Sequence, residues 1–345
     1  MIVNSLNIAG FRNIRKRNLG FISGKNLIFG LNGAGKTSVI ESMFVTAFGK
    51  SFLNVTLNDM IPRGDSRFDF HLSVDQGQNQ REIRCFSQGK RLGIELDNQK
   101  AQTAKIRDVF YPVFFSSTAF MLEIESIPHM RRMMNRFICG VDSLYIHYIL
   151  SYNQALKQKN HLLRFRPQAT EISGWNQVLS EMGTRIVNAR ELFVDRLNRE
   201  IRNQGKVEMQ VVYSPSVSVE AEGGTGRFQA ELKRVHSIET RYRRSVIGPH
   251  RDRFDIRLGD VSLKYHSSGE KKLYLLLAYI AFIQLFRQVN REYPVFLVDD
   301  YDTAMDQRNV GFFMDAYPEM QVIATSVNPN GRFDRQIELA RENTQ

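Results

Sequence analysis

The chain has 345 residues, enough for one large domain or two ordinary ones, and 47 Lys and Arg against 36 Asp and Glu leave a formal charge of +11, an excess that suits a polyanionic partner. Two cysteines, Cys85 and Cys139, exclude a disulfide framework and a cysteine-rich metal site and fit a reducing cytosol. Met1 to Gly10 shows no basic leader, and the longest apolar run, Leu273 to Phe286, is broken by Gln284; it falls short of the ~18 residues that span a bilayer and is expected as a buried core helix.

In chain order, Ile2 to Ile8 alternates as a strand does, and Phe11-Arg12-Asn13 and Leu19 to Ile22 continue an antiparallel edge. Asn26 to Phe29 then reads as a short buried strand. Gly30 to Ser38 follows as G-L-N-G-A-G-K-T-S, which fits the phosphate-loop pattern G-x-x-x-x-G-K-[ST] and opens a helix from Ser38 to Phe48. Strand, glycine loop and helix together are the context that the pattern requires. Gly30, Gly33 and Gly35, with Leu31, Asn32 and Ala34 between them, let backbone N–H groups turn toward phosphate oxygens at the positive end of the helix. Lys36 adds a point charge for the β and γ phosphates, and Thr37 a hydroxyl for Mg²⁺. Phe68 to Val74, Arg81 to Phe86 and Arg91 to Leu96 predict a β-rich lobe, and Val109 to Phe115 a buried strand.

From Pro128 the text turns helical, with predicted helices at Met130 to Cys139, Asp142 to Leu163 and Glu171 to Arg202. Between Arg131 and Lys206 stand 13 Lys and Arg against 6 Asp and Glu, +7 of the chain's +11. Charge on a long helical pair usually marks a solvated face, but the uneven share makes this arm, with Arg131 and Arg132 at its start, the first place to look for DNA phosphates. Strands are predicted at Val207 to Tyr213 and Ser216 to Ala221, and a helix at Phe228 to Arg244 whose basic end also suits the helix dipole. His266 to Lys272, H-S-S-G-E-K-K, opens the apolar helix; Ser267, Ser268 and Gly269 there form either an anion site or an ordinary Ser cap. Val295 to Asp300, V-F-L-V-D-D, is an apolar strand ending in two carboxylates, and Gln321 to Thr325 reads as its neighbour. Paired acids after such a strand can serve a metal and an attacking water.

Phosphate loop, S-x-G-E signature and double-acid strand, in this order, resemble the ATP-binding-cassette heads of the SMC type, and within them the RecF family of bacterial recombination mediators. The likeness covers nearly the whole chain. It includes Gly49-Lys50-Ser51-Phe52, Tyr152 with Lys159-Asn160, and Gly248-Pro249-His250-Arg251-Asp252. It implies an α/β fold: an ABC-type (SMC-like) P-loop ATPase head with a β-rich lobe and an inserted α-helical arm domain. The parts would be 1–127, the arm 128–206, and 207–345. The implied activity is a weak, DNA-stimulated ATPase with ATP and Mg²⁺ as cofactors. Lys36 and Thr37 would hold phosphates and metal in cis, while Ser267 and Gly269 reach the γ-phosphate from a second copy. Asp299 would sit near the metal, Asp300 would polarise the attacking water, and Asp306 would lie on the loop between the two sites. Arg12 and Asn13 match a position that touches nucleotide phosphates. The implied partners are DNA, single-stranded and duplex at gap junctions, an ATP-dependent homodimer and a RecR-type protein, in the cytoplasm.

The chain departs from that family's pattern in several places. Ser117, Thr118 and Ala119 replace acidic residues, Arg253 replaces an Asp, Thr303 and Met305 replace Ser and Leu, and Thr325 or Ser326 stands where transporter ATPases carry a histidine. Lys36 and Ser267 are 231 residues apart, too far for a transporter ATPase, and 128–206 is too short for the heptad arms of SMC proteins. The other reading is an ATP-gated regulatory or defence ATPase that recognises a protein instead of DNA.

Overall fold

The computed structural model describes residues 1–341 except 54, 89–90, 167–169, 206–207, 220–223 and 305–316; the side chains of 88, 117–120 and 303–304 are also left aside. The expectations on Met305 and Asp306, and on the side chains of Ser117, Thr118, Ala119 and Thr303, therefore lie outside the description. The chain forms two compact units, residues 1–121 with 286–345, and residues 122–285. The second unit takes in the expected helical arm together with the residues that follow it.

In the first unit, five parallel strands form the nucleotide-binding type of sheet, in the order Arg335–Glu338, Lys25–Phe29, Val322–Ser326, Val295–Asp299, Pro112–Ser116. Runs such as V-F-L-V are apolar without alternation because a parallel sheet is covered on both faces. The register pairs Phe29 with Ser326, Val298 with Ala324 and Asp299 with Ser116, so the carboxyl ends of these strands share one edge. The Lys36–Phe48 helix is buried on every side from Ser38 to Ala47, as a helix apolar around its circumference must be. A second sheet, six-stranded, runs Ile14–Gly20, Ile2–Phe11, Asp69–Gln76, Asn79–Gln88, Arg91–Leu96, Gln99–Lys100. Phe11, Phe68 and Phe70 pack from it into the core, with ring centroids 4.7–5.4 Å apart. This is the predicted β-rich lobe.

Some boundaries move, each for a physical reason. The buried strand begins at Pro112, after a helix at Thr103–Val109. The first arm helix starts at Ile127, because Pro128 fits the first turn, where no N–H is needed. The second starts at Tyr145: the Asp142 carboxylate accepts from the N–H of Leu144 (2.9 Å) and Tyr145 (3.2 Å) and so stands outside the helix as its cap. The predicted Phe228–Arg244 helix divides into Gly224–Arg234 and His236–Tyr242. From Ser216 to Val219 there is no strand.

The second unit packs Tyr145–Phe165 against the 33-residue helix Glu171–Asn203 and adds a three-stranded sheet, Val261–Ser262, Arg253–Leu258, Met209–Ser214. The apolar run forms the helix Ser268–Asn290, which is long and apolar enough to cross a membrane. Its Tyr279, Ala281, Phe282 and Ile283 are nevertheless buried, and Phe282 stacks on Phe137 at 4.1 Å. The run is a core helix by its burial, although the helix it forms is longer than the apolar run itself.

Candidate nucleotide site

Gly30 to Thr37 leave the carboxyl end of the Lys25–Phe29 strand and enter the buried helix. Gly35 holds φ 98°, and a Cβ there would come within 2.9 Å of the Ile14 side chain, so conformation and space both demand glycine. No side chain caps the helix start, which leaves its first N–H groups facing the loop. Lys36 is only 6% exposed, and its ammonium donates to the carbonyls of Gly30 (2.7 Å) and Leu31 (3.1 Å), curled over its own loop. Asn13, in the turn between two strands of the six-stranded sheet, clamps the loop: its amide donates to the Gly33 carbonyl (2.7 Å) and its oxygen accepts from Ser38 Oγ (2.8 Å). Arg341 ties the Asn32 carbonyl at 2.6 Å.

The double-acid strand ends beside this loop. Thr37 Oγ1 lies 3.1 Å and Thr325 Oγ1 2.8 Å from the same oxygen of Asp299, while the N–H of Asp300 donates to Thr325 Oγ1 at 2.9 Å. Asp300 sits at φ 53°, a left-handed turn that ends the strand sharply. Burial, with the neighbouring charge of Asp300 adding to it, pushes the Asp299 carboxyl up to about 6. A hydroxyl and one carboxylate at the mouth of a phosphate-binding loop suit Mg²⁺, which takes few protein ligands and completes its octahedron with phosphate and water oxygens. Among the described residues no cluster of three or more His, Cys, Asp or Glu competes as a metal cage.

Arg12 lies farther back. Its guanidinium forks onto Glu41 (2.9 and 2.7 Å) and reaches the Asp59 carbonyl (3.2 Å); Glu41 accepts a further bond from Ser51, the serine of G-K-S-F. Ser267 and Gly269 belong to the second unit, exposed at the start of the Ser268–Asn290 helix. There Ser267 Oγ donates to Glu270 (2.7 Å), Glu270 also accepts from the Ser267 N–H (3.0 Å), and Ser267 Oγ accepts from the Glu270 N–H (3.3 Å). This is a reciprocal cap. The structure brings the expected residues Lys36, Thr37, Asp299, Asp300 and Asn13 together at one edge. The sequence pattern missed Thr325, read only as a missing histidine, and it missed Glu41 and Arg341.

The G-P-H-R-D element is a buried anchor. Asp252 pairs with Arg190 at 2.6 Å, both essentially inaccessible, and accepts from the Tyr213 hydroxyl and the Ser216 N–H (2.8 Å). Arg190 also reaches Tyr145 Oη (2.9 Å) and the Pro249 carbonyl (2.9 Å). Lys159 and Glu239 form a second wholly buried pair at 2.6 Å. Arg131, expected at the head of a DNA surface, is half-buried and donates to the Asp252 carbonyl at 3.0 Å, which ties it to this anchor.

A parallel sheet whose carboxyl edge joins a glycine loop, a threonine hydroxyl and a double-acid strand end defines an ABC-type, SMC-like P-loop ATPase head. The chain belongs to the RecF/RecN/SMC N-terminal domain family, whose model matches residues 2–333. Curated relatives include the DNA replication and repair protein RecF of Lachnoclostridium phytofermentans, 26% identical over 99% of this chain and 97% of that protein. RecF of Ruminiclostridium cellulolyticum is 27% identical over 95% and 93%. Among solved structures, the recombination mediator protein RecF-ATP of the RecFOR pathway superposes with a TM-score of 0.88 over 95% of this chain and 92% of that one, at 21% identity. An Smc head bound to the C-winged helix domain of ScpA gives 0.55 over 98% and 94%, at 13% identity.

Proposed function

We infer that this chain is an ATP-driven DNA-binding switch of the RecF kind, acting in replication and gap repair to help load a recombinase on single-stranded DNA. The observation that carries this reading is the bonded set Thr37, Asp299 and Thr325 at the mouth of the phosphate loop. Lys36 and the loop N–H groups hold the triphosphate, and the Thr37 hydroxyl and Asp299 carboxylate are the groups that would hold Mg²⁺. When bound, the metal neutralises phosphate charge. Asp300 accepts the proton of the attacking water, and Thr325 fixes the backbone at Asp300 by its 2.9 Å bond. Asn13 holds the loop through the Gly33 carbonyl, and Arg12 beside it is tied to Glu41 of the helix that follows the loop. Ser267 and Gly269 of a second copy close on the γ-phosphate, so the shared ligand couples nucleotide state to dimerisation. Asp306 would lie between the two sites, and a RecR-type protein would be the further partner.

Sedimentation of Asp300→Asn with ATP, Mg²⁺ and gapped DNA tests the switch. Turnover is blocked in this variant, and a stable dimer on DNA is expected. A monomer under saturating nucleotide refutes the mechanism; a dimer that ignores DNA favours the ATP-gated regulator of a protein partner.

A further inference from the structure

We propose that a groove in the second unit, between the end of the Met209–Ser214 strand and residues 242–253, holds a single DNA strand, its phosphates on Arg244, Arg251 and Arg253 and one unpaired base stacked on Tyr242. This rests on the DNA-binding reading above and gives it a place. The groove has a volume of about 670 Å³ and is lined by these four residues with Ser214, Pro215, Ser216 and Val246.

Its charge is not cancelled locally. Of the nearest carboxylates in sequence, Glu239 and Asp252 lie buried and are consumed by Lys159 and Arg190, while Asp255, two residues from Arg253, accepts from Arg257 and Ser262. Among the described residues no carboxylate pairs with Arg244, Arg251 or Arg253, and all three are exposed. Arginine presents a planar fork of donors that matches phosphate oxygens, which makes such a trio a phosphate track and not a general cation surface.

The arginines stand on three different rigid supports. Arg243 takes the left-handed conformation at φ 53° that ends the His236–Tyr242 helix, and so turns Arg244 out of it. Arg251 sits on a tight turn closed by its own N–H to the Gly248 carbonyl at 2.7 Å, and its guanidinium reaches the Ser245 carbonyl. Arg253 begins the Arg253–Leu258 strand opposite Ser214. Beneath them Ser216 Oγ accepts from the Gly248 N–H (2.6 Å), and the Ser216 N–H donates to Asp252. A track fixed in this way loses little conformational freedom on binding.

Tyr242 decides the kind of strand. It is 60% exposed and has no ring partner among the described residues. A flat aromatic beside a phosphate track is how unpaired bases are held, while stacked bases within a duplex offer it no face. A protein partner would need a buried apolar anchor, and Tyr242 is the sole large exposed apolar side chain of this lining.

The test uses the full-length protein, with anisotropy of a labelled oligothymidylate, a blunt duplex of equal length and an RNA of the same design, across a salt series. Arg244→Glu and Arg253→Glu change exposed side chains and are expected to keep wild-type melting and ATP binding. Each should weaken the oligothymidylate by about ten-fold or more and lower its salt slope by about 1. Tyr242→Ala should weaken the single strand about five- to hundred-fold and leave the duplex unchanged, while Tyr242→Phe restores stacking. Unchanged affinity and slope in both arginine variants overturns the groove while the DNA reading stands. RNA bound more tightly than DNA and lost in the same variants also overturns it. A wild-type protein that binds no oligonucleotide removes both.

Discussion

Lys36 rests on the carbonyls of Gly30 and Leu31, an arrangement that keeps an ammonium at the loop mouth until phosphate oxygens take over its bonds. Lys36→Ala is expected to lower ATP affinity at least ~100-fold, the scale on which charged hydrogen bonds at two phosphates add, and equilibrium binding of a labelled ATP analogue checks it. His250 shows a different residue-scale effect. Its imidazole Nδ1 shares a hydrogen bond with the Tyr152 hydroxyl at 2.8 Å and is pushed down to about 4 by burial, with Arg251 and Arg131 adding to the effect. The unfolded chain protonates near 6.5, so between these values the unfolded state binds more protons and the second unit loses stability as pH falls. Glu123, pushed up by burial in the same unit, acts in the opposite direction. The contribution of His250 is therefore isolated by comparison: wild type should lose on the order of 2 kcal/mol relative to His250→Gln between pH 6.5 and 4, measured by denaturant melts.

At the scale of elements, the helix Ser268–Asn290 begins with a signature that also caps it. Glu270→Ala removes the acceptor of two Ser267 bonds and should lower the Tm, while Glu270→Gln retains most of the wild-type value. The same contacts explain what was legible in the sequence. The phosphate loop, the double-acid strand and the capped helix are local patterns, with spacing that reports backbone shape, and the structure has them at those residues. Glu41 was not legible, because a glutamate inside a helix reads the same whether it faces water or is buried against a part-exposed arginine. Nor was the Arg190–Asp252 pair, since 62 residues separate its members and only tertiary folding brings them together. The bond from Arg131 to the backbone carbonyl of Asp252 was not legible either, because no charge count reveals a carbonyl. Thr325 occupies a strand end, where the pattern announced only an absence.

At the scale of the whole molecule, the two sheets of the first unit differ in how far apart their strands lie along the chain. The antiparallel sheet uses residues 2–100, whereas the parallel sheet joins 25–29 and 112–116 to 295–299, 322–326 and 335–338. Val322–Ser326, the strand between the loop strand and the acid strand, is among the last to be made. On the ribosome, then, the meander can form early, while the phosphate loop waits beside an unpaired strand until residues 322–326 have emerged. Nascent chains stalled with residue 290 at the exit should bind no nucleotide, and those released after residue 341 should bind it fully, as photo-crosslinking with azido-ATP would register. Synthesis itself thus delays the ATP switch until the strand Val322–Ser326 is available.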